Sequence, residues 1–395
     1  MTTWPSVSFE ERPWVSKYSR DLLTQRQFED YRGPYKAAVV PQIAHQRVVV
    51  DSAVAADVDE ASQALARFDA ELSGRTSPFA AILLRSESAS SSQIEQLTSD
   101  ARAIAEAELG ERETGNAALI VRNVRALQAA IALSGQISSD TIIAMQEALL
   151  GAHAPALTGA FRQEQVWIGS SPVGPHTADF VPPHHDRVPA AMDDLIAFTE
   201  RNDVPVLTQV AISHAQFETI HPFPDGNGRT GRALVQAMMR ERALTTNVTV
   251  PVSAGLLNNV QGYYAALTSY RSGNVDPIVE AFANAAIFAV GTGRILAAEI
   301  AEVSELWEAR MAGLRSDATA RRVAQLALEQ PVLNQQVIAS KLAVVPGSAY
   351  RALDELEKRG VLHSANSKKR NRIWIADDVI GALDAFADRA GRGRN

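Results

Sequence analysis

Residues 221–232 read HPFPDGNGRTGR and hold an imidazole, a carboxylate, three glycines and two guanidinium groups. Glycines give the backbone freedom that an anion-binding nest needs, and a helix N-terminus adds a favourable dipole. Arg229 and Arg232 are three positions apart, so both side chains can reach one side of an anion. Asp225 offers the oxygen ligand that Mg²⁺ takes together with phosphate oxygens. With His221 adjacent, the stretch predicts transfer of a phosphorus group to a nucleophile that the histidine deprotonates.

Two helices must position these residues. Positions spaced by three and four predict a helix that ends at His221, where Pro222 and Pro224 stop it. The same spacing downstream predicts a second helix that begins near Gly228, and we expect positive φ angles at Gly226 and Gly228. The positions that carry the two patterns are Leu207, Val210, Ala211, His214, Phe217 and His221, then Ala233, Leu234, Ala237, Met238 and Leu244.

Two other interpretations apply to this stretch. Gly226, Gly228 and Gly231 also fit the dinucleotide fingerprint G-x-G-x-x-G, but that motif must follow a strand, and here a helix is expected before it. The second alternative is a helix-loop-helix corner whose charges are merely solvated. The concentration of charged and amide side chains around glycines argues against it.

The same residues resemble a known family. The pattern His221-x-Phe223-x-Asp225-Gly226-Asn227-Gly228-Arg229-x-x-Arg232 is similar to the core motif of Fic-domain proteins, with no position missing. The resemblance implies a mainly α fold, the Fic/Fido helical core with a β-hairpin flap. It also implies a protein adenylyltransferase that uses ATP and Mg²⁺ to transfer AMP to a Ser, Thr or Tyr hydroxyl of a protein substrate, and to itself. Carried over, His221 is the general base, Asp225 the magnesium ligand and Phe223 an apolar anchor, and the phosphate binders are Gly226, Asn227, Gly228, Arg229 and Arg232.

Residues 91–95 have two interpretations. Ser92-x-x-Glu95 fits a capping box at the start of a helix. Ser91-x-x-x-Glu95 resembles the inhibitory motif of Fic proteins whose autoinhibitory helix precedes the core. In that family the glutamate pairs with the second arginine, here Arg232, and blocks the place of the γ-phosphate. The family pattern has Gly or Asn after the glutamate, where this chain has Gln96.

Two β-prone runs around a turn, at residues 166–169 and 178–183, predict a hairpin. The resemblance implies that it is the flap over the active site, with Trp167, Ile168 and Gly169 on it. An exposed strand edge can align an extended target segment by main-chain pairing. The alternative for Trp167 is an ordinary core aromatic.

Three further residues are candidates with open alternatives. Asn258 and Tyr263 resemble family residues near the nucleotide base, where an aromatic ring could stack on adenine. Packing against the preceding helix is the other interpretation. His214 shares a helical face with His221, and we favour a buried histidine bonded to backbone over a second catalytic group.

The chain predicts three domains: an N-terminal helical extension (1–85), a Fic catalytic core with the inhibitory helix (86–300) and a winged helix-turn-helix domain (301–395). The last is predicted from three helices, around residues 318–329, 334–342 and 347–359. Two β-prone runs follow them, at residues 361–362 and 372–375, and flank a basic turn of Lys368, Lys369 and Arg370. DNA contact through Tyr350 and Arg351 is one alternative for this domain. Protein docking and homodimer formation are the others, because acidic residues lie on the same helix: Asp354, Glu355 and Glu357.

Composition narrows the classes of function. The net charge of −7 argues against a protein that coats nucleic acid generally, and the absence of cysteine excludes disulfides and thiolate metal sites. The first residues resemble neither a signal peptide nor a membrane span, so we expect a cytoplasmic protein without a membrane partner.

Two functions from different classes remain: an autoinhibited protein adenylyltransferase, and a transcriptional regulator whose Fic-like domain only senses nucleotide. The complete catalytic set favours the enzyme, because a sensor does not need His221 as a base. Within the enzyme class, hydrolytic removal of AMP is the nearest alternative, and there Glu95 would direct a water molecule.

Overall fold

A computed structural model describes residues 4–16, 18–73, 76–169, 173–365 and 372–391, with only the backbone of Thr76 and Ser77. The fold is mainly α, as predicted. The helices are α1 (Gln25–Asp30), α2 (Ser52–Glu71), α3 (Thr76–Ile94), α4 (Ala101–Glu108), α5 (Gly115–Ala132), α6 (Ser139–Leu150), α7 (Val188–Thr199), α8 (Val206–Ile220), α9 (Asn227–Glu241), α10 (Val252–Asn258), α11 (Val260–Arg271), α12 (Asp276–Arg310), α13 (Thr319–Glu329), α14 (Gln335–Leu342), α15 (Pro346–Lys358) and α16 (Asp377–Ala390). The strands are β1 (Ser8–Arg12), β2 (Tyr35–Val39), β3 (Val332–Asn334), β4 (His363–Ser364) and β5 (Ile373–Ile375).

The chain divides into two compact units. The first holds Met1–Ser62, Ala126–Leu244 and Val260–Ala283, and the second holds Gln63–Arg125, Thr245–Asn259 and Asn284–Asn395. Each unit is therefore assembled from segments that are far apart in the sequence. The three-domain division at residues 85 and 300 stays a prediction.

The first unit is built around α8. Every residue from Leu207 to Ile220 is buried, and α7, α9 and α11 pack against it. A helix that is buried on all sides belongs at the centre of a core. The end of α8 is consequently held in a fixed position.

Part of the N-terminal region forms a small sheet. Strands β1 and β2 pair antiparallel, with Ser8 opposite Val39 and Arg12 opposite Tyr35. The ring of Trp14 contacts the ring of Tyr35 edge to face at 5.8 Å, and Trp4 is 7% exposed. These N-terminal aromatic side chains therefore pack inside the first unit.

In the second unit, α3 packs against α10, α13 and α16. The buried Glu87 on α3 accepts hydrogen bonds from the N–H (2.9 Å) and the hydroxyl (2.6 Å) of Ser253 in the first turn of α10. A carboxylate there satisfies an N–H that has no partner within the helix. The contact fastens α10 to α3.

The C-terminal elements follow the order helix, strand, helix, helix, strand, strand, helix. The three predicted helices are confirmed as α13, α14 and α15. Strand β5 pairs antiparallel with both β3 and β4. The strand expected at residues 361–362 lies slightly later, at β4, and β3 and α16 were not predicted. The basic turn of Lys368, Lys369 and Arg370 lies outside the described residues.

Helix α12 is long and apolar enough to cross a bilayer by length and composition. Half of its most apolar window is buried inside the protein, however, and a core helix passes the same test.

Candidate active site

Helix α8 ends at His221, as predicted. The N–H of His221 still donates to the carbonyl of Phe217 at 2.8 Å, but its φ of 52° lies in the left-handed region. A residue with a Cβ rarely adopts this conformation, and the prolines that follow prevent the helix from continuing. The turn carries the chain away from the helix axis directly after the imidazole.

The loop after His221 is fixed by the burial of Phe223 and by hydrogen bonds from the Asn227 side chain. Phe223 is fully buried, and its ring lies 5.6 Å from that of Phe161, so its role as the apolar anchor is confirmed. Oδ1 of Asn227 accepts a hydrogen bond from the N–H of Phe223, and Nδ2 of Asn227 donates one to the carbonyl of Phe223, both at 2.8 Å. The side-chain amide of Asn227 therefore closes the loop by bonding both main-chain groups of Phe223.

Gly226 is the hinge of this corner. Its φ is 79°, and a Cβ there would lie 2.9 Å from Cδ2 of Leu149. Gly228 is the second residue of α9 and is helical, so the expected positive φ at that position is wrong. At Gly231 a Cβ would lie 2.9 Å from the Phe217 ring, which explains how α8 and α9 approach closely. Since α8, a helix, precedes the glycines, the dinucleotide fingerprint does not apply.

Arg229 and Arg232 lie on the first turns of α9 and are 5% and 3% exposed. Asp225, by contrast, has a side chain that is 57% exposed, with Oδ1 3.9 Å from the Arg229 guanidinium. One accessible carboxylate beside an anion cradle fits an Mg²⁺ ion that a polyphosphate also holds. Among the described residues no cluster of three or more His, Asp or Glu could hold a metal alone.

The surroundings of His221 favour its neutral form. Burial lowers the pKa of His221 to about 3, and the charges of Arg162 and Arg271 lower it further. Arg162 also fixes the histidine backbone, since its Nε donates to the His221 carbonyl at 2.8 Å. Oε2 of Glu218 lies 3.9 Å from Nδ1 of His221, within electrostatic reach. A neutral imidazole with 20% of its side chain exposed can accept a proton from a bound group.

His214 is buried and has a backbone partner at Gly231, as favoured from the sequence, and it also has a side-chain partner. Its Nε2 lies 2.8 Å from the hydroxyl of Tyr263, which is 3% exposed. The neighbouring Tyr264 is 42% exposed. Packing therefore accounts for Tyr263, and Tyr264 is the ring of this pair that faces solvent. Asn258 is exposed at the end of α10, in the second unit.

The flap region forms less β-structure than expected. Ile168 and Phe180 make one antiparallel bridge, with N···O distances of 2.8 and 3.2 Å, and residues 170–172 lie outside the described residues. Trp167 packs edge to face on Trp14 at 5.7 Å. Gly169 has a φ of 112°, and a Cβ there would collide with Asp179.

Glu95 directly follows the last residue of α3, in the second unit. The capping-box interpretation of Ser92 and Glu95 is therefore wrong, because these residues lie at the end of a helix. Gln96 has a left-handed φ of 63°, and the N–H of Leu97 donates to the carbonyl of Ser92 at 3.1 Å. This is a helix C-terminal turn of the Schellman type.

The fold and the site define a class: a helical domain in which a histidine at a helix end precedes a glycine corner suited to a bound phosphate. Residues 136–239 match the family model described as Fic/DOC family. Over these residues the chain is similar to proteins of the Fic/DOC family.

Named relatives agree over the same region. The chain is 32% identical over 150 residues to a protein from Caenorhabditis briggsae named protein adenylyltransferase fic-1, which covers 36% of this chain and 26% of that protein. A protein adenylyltransferase Fic from Nematostella vectensis is 28% identical over 149 residues, covering 37% of this chain and 31% of that protein. The chain thus spans about a quarter to a third of the length of these curated relatives.

A solved structure of a Fic family protein from Desulfovibrio desulfuricans G20 has a similar fold. Its TM-score is 0.51 at 20% identity, and the match covers 86% of this chain and 98% of that chain. At this identity the likeness concerns the fold alone.

Proposed function

We propose that the chain is a protein adenylyltransferase that transfers AMP from ATP to a hydroxyl side chain of a protein substrate. The observation that carries the proposal is the neutral imidazole of His221, held at the end of α8 directly before the glycine corner and the two arginines of α9. The names of the relatives support it over the matched region. A protein that only sensed nucleotide would not need a proton acceptor at this position.

The reaction follows from these groups. The hydroxyl oxygen of the acceptor attacks the α-phosphorus of ATP, and Nε2 or Nδ1 of His221 takes its proton. The bond from the α-phosphorus to the bridging oxygen of the β-phosphate breaks, and pyrophosphate leaves. Arg229, Arg232 and the N-terminus of α9 stabilise the negative charge on the phosphates. Asp225 would hold Mg²⁺, which supplies further charge neutralisation when bound.

Autoinhibition is a finer proposal and rests on the motif at Ser91 and Glu95. We infer that Glu95 restrains the transfer reaction and that its removal increases the reaction, including modification of the chain itself. In the alternative function, hydrolytic removal of AMP from a modified hydroxyl by water, Glu95 would be required. The two alternatives therefore predict opposite effects of removing its carboxylate.

The base assignment is tested with ATP labelled at the α- or the γ-phosphate. We expect the full chain to transfer the α-label and not the γ-label to protein. His221→Ala should remove nearly all of the α-label transfer while MgATP still binds, because the substitution deletes the base and leaves the phosphate site. His153→Ala, at an exposed histidine, is the matched control. Transfer by His221→Ala at the rate of the parent chain, or transfer of the γ-label, would refute the proposal.

A further inference from the structure

Arg271, the last residue of α11, is held in place by its backbone. Its carbonyl accepts the N–H of Val7 at 2.8 Å. Gly273, two residues later, has a φ of 92°, and a Cβ there would lie 2.8 Å from the carbonyl oxygen of Trp4. The ring of Trp4 also packs at 6.0 Å from that of Tyr270. The N-terminal segment therefore fixes where the side chain of Arg271 begins.

The guanidinium group of Arg271 has an aromatic neighbour and is attracted by the negative charge of Glu218, which raises its pKa against the effect of burial, but no hydrogen bond joins the two side chains. Its central carbon lies over the ring of Phe180, 3.9 Å from the centroid. Among the residues that the structure describes, its side chain makes no hydrogen bond or ion pair, and its buried Nε has no acceptor. Burial lowers the pKa of Arg271 to about 10, so the group stays charged near neutral pH. A partly buried cation without hydrogen bonds is costly unless a ligand completes its surroundings.

Arg162 is a second buried arginine in the same unit, and its hydrogen bonds differ from those of Arg271. Burial lowers the pKa of Arg162 to about 10 as well. Its nitrogens, however, donate to the carbonyls of His221 (2.8 Å), Glu164 (2.9 Å) and Pro183 (2.5 Å). Arg162 is thus satisfied by backbone, whereas the donors of Arg271 remain available for an anion.

The position of Arg271 indicates which kind of anion its guanidinium group would bind. Phe180, the ring beneath its guanidinium, pairs with Ile168 of the flap region. The charge of Arg271 also lowers the pKa of His221, so the guanidinium lies in the electrostatic neighbourhood of the base. The nucleotide phosphates already have Arg229, Arg232 and the N-terminus of α9. An anion at Arg271 would instead accompany the acceptor, which the flap region would align.

We propose that Arg271 binds an acidic side chain of the acceptor protein close to the hydroxyl that is modified. The proposal rests on the proposed AMP transfer and extends it to the choice of acceptor. The planar guanidinium of arginine can make two parallel hydrogen bonds to one carboxylate, and its stacking on Phe180 fixes the plane in which they form. A neutral or basic residue next to the acceptor hydroxyl would leave the donors of Arg271 without a partner.

The test uses synthetic acceptor peptides and the full chain carrying Glu95→Gly. The peptides are identical except for Glu, Gln or Lys beside the hydroxyl. A fourth peptide has the same composition as the Glu peptide, with its Glu moved to the far end. We expect kcat/KM to be roughly tenfold higher for the adjacent Glu than for Gln, the scale of one charge-assisted hydrogen bond. The displaced Glu should behave like Gln.

Arg271→Ala should abolish this preference, Arg271→Lys should retain part of it, and Arg271→Glu should favour the Lys peptide. The KM for MgATP should stay unchanged in all three variants. Thermal unfolding shows whether each variant is folded, and Arg271→Lys, which keeps the charge, tests the proposal if Arg271→Ala does not fold. A preference for Glu that survives in Arg271→Ala would overturn the inference, as would a rise in KM for MgATP with unchanged peptide preference. If the Glu95→Gly chain with Arg271 intact modifies no peptide and no protein, the proposed function is overturned and this inference with it.

Discussion

At the scale of single residues, His214 and His221 lie seven positions apart on α8 and have different surroundings. His214 is enclosed and hydrogen-bonded to Tyr263, whereas His221 stands at a left-handed helix end where part of its ring meets solvent. Spacing placed both on one helical face but could not distinguish them. The difference arises from the three-dimensional packing of α11 against α8, which local sequence does not encode.

His214 should make stability depend on pH. Burial lowers the pKa of His214 to about 3, from an ordinary value of 6.5 in the unfolded chain. Below pH 6.5 the unfolded state therefore binds a proton that the folded state does not, and stability falls as the pH decreases towards 3. We expect His214→Gln to flatten the dependence of the unfolding free energy on pH between about 6.5 and 5, by up to ~1.4 kcal/mol per pH unit.

The measurement is chemical denaturation at several pH values, with His153→Gln at an exposed position as the control. Equal slopes for His214→Gln and the parent chain would show that His214 is not the group responsible.

The chemical identity of the candidate site could be predicted from the sequence, because its residues are contiguous and their helix signals are local. The roles of Asn227 and Gly228 could not be predicted from the sequence. The Asn227 side chain makes hydrogen bonds to the backbone of Phe223, and Gly228 is helical rather than left-handed. Both outcomes depend on how the loop closes, and a list of residue types does not contain that information.

At the scale of elements, the end of α3 bears on Gln96, which stands where the family pattern has Gly or Asn. The position takes a left-handed φ, which is the conformation that Gly and Asn tolerate best. The backbone at this position of the chain therefore favours Gly or Asn. Gln96 can occupy the same turn at an energetic cost.

Gln96→Gly should stabilise the protein by about 0.5–1 kcal/mol, because relief of the left-handed strain outweighs the greater freedom of glycine in the unfolded chain. Gln93→Gly, inside α3 with helical geometry, should instead destabilise by about 1 kcal/mol. Denaturant midpoints of the two variants and the parent chain measure both effects. A loss of stability in Gln96→Gly as large as that in Gln93→Gly would contradict this account of the helix end.

Helices were predicted more successfully than strands. The helices around the site and the three C-terminal helices carry their own periodicity, so the sequence indicates them without knowledge of the fold. Strands β1 and β2 are five residues each, and β3 is three. They pair with segments far along the chain, so no short window reveals them.

At the scale of the whole molecule, the segments of each unit come from distant parts of the sequence, and α3 shares a unit with the C-terminal helices. A linear division into domains could not anticipate this, since it depends on which helix faces pack together. The acidic residues weighed against DNA contact each have a basic partner: Asp354 with Lys358, Glu355 with Arg359, and Glu357 with Arg372. DNA contact, homodimer formation and a cytoplasmic location stay predictions.

The most direct test of the central claim is the intact mass of the full chain after incubation with MgATP. Three chains are compared: the parent, Glu95→Gly, and Glu95→Gly combined with His221→Ala. We predict that Glu95→Gly gains the mass of AMP to a greater extent than the parent, because the proposed restraint is removed, and that the double variant gains none. A gain of phosphate instead of AMP, or AMP on the double variant at the level of Glu95→Gly, would contradict the account of His221 as the base of an AMP transferase.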